Sequence, residues 1–349
     1  MARDNPATYS RARRPRRWFV ALLSVLVGLL LAALATEALT RLFFDEAVQP
    51  RFVVDSGYGV RWNQSGIDTR HYVPGDYDVR ITTNSAGMRG PREYALERPP
   101  GVQRVMILGD SFAFGYGVED GEVVSAVLEG LLDARRPGAG RHEVVNLAVS
   151  GFGQAEELVT WEQRGRAWRP DVVALFYFDN DIGNNAVSQL YAENADGTVT
   201  RTGNAYLPGA KLQERLYRIP PVRWLFEHSE AWNLIRNRLS ILVQNSLLKK
   251  QGLKQFDDAT TPAVGLTRAL LLQLARQIQA DGARVVFVVI PNQDRLRSNF
   301  PLTRAEVEAA GATLLDGRDF LTPDDYYPRD GHWRPSGHRK AAEQLAALL

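Results

Sequence analysis

The chain contains no cysteine. That excludes a thiol nucleophile, a thiolate-bound metal and any disulfide, and it leaves the redox compartment open. Histidine is scarce, with five in 349 residues, and no third ligand clusters near any His–Asp pair, so zinc is not expected. A net charge of +2 gives the whole chain no nucleic-acid signature. No glycine-rich phosphate loop with its lysine follows the first buried strand, so a nucleotide-binding protein is disfavoured. No cofactor is implied. A hydrophobic content of 45% is enough for a substantial core.

The charge that matters is local. Residues 11–17 read RARRPRR, and no charged residue occurs from Trp18 to Thr36. At about 1.5 Å per residue this run approaches the thickness of a bilayer's hydrocarbon core. The arginines precede it and Glu37 follows, so the positive-inside rule predicts a basic cytoplasmic tail (1–17), a transmembrane anchor (18–40) and export of the remainder. That places the chain in the inner membrane with its bulk periplasmic. A cleaved signal peptide with Ala33-Leu34-Ala35 as its processing site is the competing reading.

Residues 48–98 are rich in Gly, Asn, Asp and Tyr and contain alternating segments such as YDVRITTNSAGMRG. They predict a small β-rich extension, with ERPPG (97–101) as a linker. Beyond it, strand and helix patterns alternate. The strands are RVMIL (104–108), EVVNL (143–147), VVALFYF (172–178), RVVFVVI (284–290) and a short one at 313–316. Helical spacing covers 122–134, 155–166, 267–280, 303–310 and 336–349. This rhythm predicts a parallel sheet covered on both faces. Residues 186–262 break it, and read as a partly helical insertion near the mouth of the sheet.

Sites in such sheets form beyond the strands' carboxyl ends. After the first strand stands Gly109-Asp110-Ser111, a serine where free helix N–H groups favour an anion or oxyanion. After the second, NLAVSGFGQ brings Gly151, whose backbone can approach a ligand closely. After the third, FYFDNDIGNN brings Asn180, which can aim an amide N–H at developing charge. Near the C-terminus, YYPRDGHWRPSGH pairs Asp330 with His332, two residues apart, which in an extended segment project to one side as a general base and its orienter. His338 reads as structural. Taken singly, each has a bland alternative: a helix cap, a turn glycine, an Asn/Asp turn, a surface loop.

Their order resembles the SGNH hydrolase superfamily, also called the GDSL family, over residues 103–349. The matching blocks are GDS (Ser111), SG (Gly151), Asn180-Asp181 and the terminal Asp330–His332 segment. The resemblance implies a flavodoxin-like three-layer α/β/α sandwich and Ser111 as nucleophile. It also implies an oxyanion hole from the Ser111 N–H, the Gly151 N–H and the Asn180 side chain. Two features depart from the pattern. Asp179 stands where the family often has glycine, and its carboxylate must point away from the oxyanion. The pair is Asp-x-His-Trp rather than Asp-x-x-His, a form resembling periplasmic acetyltransferases of bacterial exopolysaccharides. With the exported topology, this points to acyl-ester chemistry on cell-envelope glycans, by hydrolysis or by acetyl transfer. A catalytically inactive glycan-binding or assembly protein on the same fold is the alternative, and Asp179 is the feature that encourages it.

Overall fold

A computed structural model describes residues 15–44, 47–48, 52–135, 141–203, 215–217, 219–257 and 259–349. The basic tail therefore lies almost wholly outside the described residues. Five parallel strands form the central sheet: β5 (Gln103–Leu108), β6 (His142–Asn146), β7 (Val172–Tyr177), β10 (Arg284–Val289) and β11 (Thr313–Asp316). Their order is β11-β10-β7-β5-β6. The chain steps from β5 outward to β6, then returns to β7 on β5's other side. The crevice between the carboxyl ends of β5 and β7 is therefore the topological switch point.

Strand alternation explains the three layers. Val105, Ile107, Ala174, Phe176, Val286 and Val288 face one side, where they pack with Val124, Leu128 and Leu132 of α3 (Val124–Arg135) and Ala341, Ala342 and Leu345 of α10 (Pro335–Leu348). Met106, Leu108, Val173, Leu175, Val285 and Phe287 face the other. There they meet α4 (Gln154–Gln163) through Ala155, Leu158 and Val159, and α8 (Thr261–Ala280) through Leu270, Leu271 and Leu274. Burial of each such large side chain contributes about 1.5–3 kcal/mol. The result is a flavodoxin-like α/β/α sandwich.

Before the sandwich, two antiparallel pairs are built from short alternating segments. One joins β1 (Val53–Asp55) to β2 (Arg61–Asn63), and the other joins β3 (Asp68–Val73) to β4 (Tyr77–Thr82). The β3–β4 turn uses Gly75 in the left-handed region (φ +77°). On this hairpin His71, Val73, Tyr77 and Ile81 share the buried face. The β1–β2 pair packs against the loop after β6: Asn63 Nδ2 donates to Ala148 O (3.0 Å) and Arg61 to Gly151 O (2.5 Å).

Helix α1 (Pro15–Phe43) precedes everything else described. Its segment Trp18–Phe43 has mean hydropathy 2.6, and by length and composition it can cross a membrane. Within the insertion lie α6 (Pro220–His228) and α7 (Glu230–Lys250). Ahead of them comes a hairpin, β8 (Tyr191–Glu193) with β9 (Val199–Arg201), which the apolar pattern did not predict because its strands are three residues long and largely polar. Glu37 of α1 accepts hydrogen bonds from Ser229 Oγ (2.7 Å), Glu230 N (3.0 Å) and Ala231 N (3.2 Å), so it caps the start of α7. The far end of α7 reaches α5 (Asp181–Ser188), where Leu248 packs with Ile182 and Val187.

Candidate active site

Each of the first three blocks follows the carboxyl end of a parallel strand, β5, β6 or β7 in turn. Strand β5 ends at Leu108, and Gly109 follows because there is no room for a side chain. A Cβ there would come within 2.7 Å of Ala113 Cβ and 2.8 Å of Phe176 Cβ. Asp110 caps the four-residue helix α2 (Ser111–Phe114), its carboxylate accepting from Phe112 N at 2.9 Å. Ser111 therefore opens a helix whose first N–H groups have no intrahelical acceptor. Gly151, in the loop after β6, adopts φ +73°, and a Cβ there would crowd the Arg61 guanidinium at 3.2 Å. Asn180 begins α5 after β7, and its Nδ2 sits 3.4 Å from Asp110 Oδ2.

Asp330 and His332 come from the other end of the chain. The segment is not extended, contrary to expectation. Gly331 takes φ +78°, Gly331 N donates to Tyr327 O (2.9 Å), and Tyr327 N donates to His332 O (2.8 Å). A closed turn, rather than strand alternation, brings the two side chains together. Trp333 anchors this turn. It is fully buried against Phe112 and Phe176.

The outcome is a continuous line of groups. His332 Nδ1 is 2.5 Å from Asp330 Oδ2, and His332 Nε2 is 2.7 Å from Ser111 Oγ. A carboxylate only accepts, so Nδ1 carries the proton and Nε2 is left to accept from the serine hydroxyl. Burial opposes protonation of His332, but the Asp330 charge and hydrogen bond outweigh it and the pKa is raised. Burial likewise penalises the Asp330 carboxylate, yet the facing imidazole and its hydrogen bond hold its pKa down to about 2. A hydroxyl bonded to an oriented imidazole is the arrangement that nucleophilic acyl chemistry needs.

Asp179 faces elsewhere. Its carboxylate accepts from Asn292 Nδ2 (2.7 Å), Ser298 Oγ (2.8 Å) and Asn299 N (2.7 Å), all in the loop after β10. Burial raises its pKa in spite of those donors. His338 lies buried in α10, its Nδ1 accepting from Val124 N at 3.3 Å, and burial lowers its pKa to about 3. Among the described residues, no group of three or more His, Cys, Asp or Glu is arranged to hold a metal ion.

Three residues of the β3–β4 hairpin also reach the site, and sequence reasoning assigned them nothing. Tyr77 O–H donates to Asp330 Oδ2 at 2.9 Å, and His71 Nε2 lies 3.0 Å from the same phenol oxygen. Asp76 accepts from the backbone N–H of Asp330 (2.7 Å) and of Arg329 (3.0 Å). The one available signal was a histidine on the apolar face of an alternating strand.

Residues 105–345 match the family model described as GDSL-like lipase/acylhydrolase. No curated protein matches the chain. Among solved structures, TesA is similar at 14% identity over 71% of this chain and 98% of its own, with a TM-score of 0.43. An acetylxylan esterase from Geobacillus stearothermophilus is similar at 16% identity, covering 70% and 92%, with a TM-score of 0.40. The psychrotrophic esterase EstA from Pseudoalteromonas sp. is similar at 13% identity, covering 70% and 95%, with a TM-score of 0.39.

Proposed function

This chain belongs to the GDSL-like lipase/acylhydrolase family, and from that membership we propose a serine-dependent acyl-ester hydrolase or O-acetyltransferase acting on cell-envelope or exopolysaccharide glycans. The observation that carries the proposal is the unbroken line from Ser111 Oγ through His332 to Asp330.

In this reading His332 Nε2 takes the Ser111 proton as Oγ attacks the ester carbonyl. The tetrahedral oxyanion is held by the Ser111 N–H, the Gly151 N–H and the Asn180 amide. Asp330 keeps the imidazole in its productive tautomer and stabilises the imidazolium. His332 then gives its proton to the departing alcohol, leaving an acyl ester on Ser111. Water, or a sugar hydroxyl, next surrenders a proton to His332 and takes the acyl group, and His332 passes that proton to the departing Ser111 Oγ, restoring the serine hydroxyl.

Residues 103–349 would form the catalytic domain, with 48–98 as its β-rich extension and 186–262 as an insertion. Helix α1 would anchor it in the cytoplasmic membrane with the site outside. Support comes from its apolar length and from the arginines that precede it. Trp224, Ile235, Leu239 and Leu242 of α6 and α7 are also exposed, on helices tied to the end of α1 by Glu37. The glycan assignment and the transfer arm rest on the Asp-x-His-Trp resemblance and this exported topology.

A catalytically inactive, glycan-binding member of the fold would be favoured by a carboxylate turned toward the oxyanion. Asp179 instead spends its acceptors on Asn292, Ser298 and Asn299, which favours the catalytic reading.

The test uses the full chain in detergent with a small aryl acetate, with and without an oligosaccharide acceptor. Turnover is expected in the wild type, with loss of at least a thousandfold in Ser111→Ala and an unchanged melting temperature. Full activity in Ser111→Ala would refute the nucleophile assignment. Acetate on the sugar selects transfer, and acetate in water alone selects hydrolysis.

A further inference from the structure

We infer that the β3–β4 hairpin completes the catalytic line, with Tyr77 and His71 as positioning residues that act on His332 through Asp330. The inference rests on the catalytic reading of Ser111, His332 and Asp330 given above.

The geometry is directional. Asp330 Oδ2 receives two donors, His332 Nδ1–H at 2.5 Å and Tyr77 O–H at 2.9 Å. Since the phenol hydrogen goes to the carboxylate, the phenol oxygen is free to accept, and His71 Nε2 at 3.0 Å must be the donor. That places the proton of His71 on Nε2, and among the described residues its buried Nδ1 has no hydrogen-bond partner. Burial lowers the His71 pKa to about 3, which agrees with a neutral ring. The order of donation is His71 to Tyr77 to Asp330, meeting His332 and then Ser111 from the other side.

Rigidity accompanies direction. His71 is fully buried, with its ring edge-on to Tyr77 (4.8 Å) and Tyr116 (4.7 Å). Tyr77 also packs on Tyr327 at 4.8 Å, and Tyr327 O–H donates to Gly117 O (3.0 Å) in the loop after α2. Asp76 at the hairpin turn holds the Arg329 and Asp330 backbone, and Arg329 donates back to Pro74 O (2.8 Å). One hairpin therefore fixes both the carboxylate and the peptide that carries it. The charged and titratable groups facing Asp330 and His71 are His332, Tyr77, Asp76, Tyr116 and Arg89.

A phenol donor shares the negative charge of Asp330. Its removal leaves that charge fully on the imidazolium side and lets the carboxylate rotate. The first effect raises the pKa of His332, and the second lowers the rate of the reacting complex without touching substrate binding.

The experiment compares full-length wild type, Tyr77→Phe, His71→Leu and the double variant in detergent. Rates for a small aryl acetate are measured against pH and normalised to sites titrated with an organophosphonate. Tyr77→Phe is expected to lose about tenfold in kcat at unchanged KM, with its acidic limb moved to higher pH. His71→Leu is expected to lose less alone and to add nothing in the Tyr77→Phe background. A merely structural hairpin predicts fewer titratable sites but an unaltered kcat per site and an unaltered limb, and that result overturns the inference. Additive losses overturn the part assigned to His71. Should Tyr77→Phe fail to fold, His71→Leu is read by the same two criteria. Wild-type protein without turnover or labelling would defeat the catalytic reading itself, which the comparison among hairpin variants does not do.

Discussion

Ser111 Oγ and His332 Nε2 are 2.7 Å apart although 221 positions separate them in the chain. Two unrelated local devices produce the meeting. Gly109 lets β5 run close against β7 and release Ser111 at the switch point, and Trp333 pins the turn that carries His332 against Phe112.

The first expectation concerns pH. His332 must be neutral to accept the serine proton, and its pKa is raised above 6.5. A plot of kcat/KM should therefore rise with pH through a limb above 6.5. Asp330→Asn removes the charge that raises it, so the limb should fall and turnover should drop on the order of a thousandfold. Linkage gives a second readout. The raised His332 pKa contributes stability that is present below 6.5 and is lost as pH climbs through the folded value. The lowered Asp330 pKa contributes stability present above 3.8 that is lost as pH falls toward 2. Urea melts across both ranges should show both losses in wild type and a smaller acid loss in Asp330→Asn.

Asn180→Ala removes one of the proposed oxyanion donors while leaving the Ser111–His332 bond in place. Turnover should fall by about a hundredfold to a thousandfold with little change in KM. Steady-state kinetics on the aryl acetate decide this, and a change confined to KM would assign Asn180 to ground-state binding instead.

Asp179→Asn should separate stability from chemistry. The carboxylate takes three hydrogen bonds, and an amide replaces one acceptor oxygen with a donor facing other donors. A loss of about 1–3 kcal/mol is expected in urea melts, with kcat per folded molecule nearly kept. A collapse of kcat without loss of stability would put Asp179 in the reacting site.

Helix α1 should keep the protein in the membrane. Carbonate-washed membranes of cells producing the full chain should retain it, and protease added outside the cytoplasmic membrane should digest the region beyond α1. Release into the soluble fraction with a new N-terminus after Ala35 would instead identify a signal peptide.

Much of this molecule was legible in its residues, for reasons that differ by element. The central strands are buried on both faces, so RVMIL (104–108) reads as a short apolar strand and VVALFYF (172–178) as a continuous apolar run. The blocks after them are short and chemically distinctive, and Ser111, Gly151 and Asn180 each follow the carboxyl end of a parallel strand. What stayed hidden was conformational. Asp330 and His332 meet through a left-handed Gly331, whereas their spacing suggested an extended segment. The contribution of Tyr77 and His71 depends on hairpin register, which pairs Val73 with Tyr77 and His71 with Val79. No local pattern links that register to a residue 253 positions away. The insertion's apolar spacing was readable, but its attachment to α1 through Glu37 was not, because a capping carboxylate supplied from a distant helix leaves no trace beside the helix it caps.

The central claim is that Ser111 is a nucleophile made reactive by His332. The direct measurement is mass spectrometry of the full chain after exposure to an aryl organophosphonate. The account predicts one adduct, mapped to Ser111, formed far more slowly in His332→Ala and absent from Ser111→Ala. An unlabelled wild type, or an adduct on another residue, would contradict it.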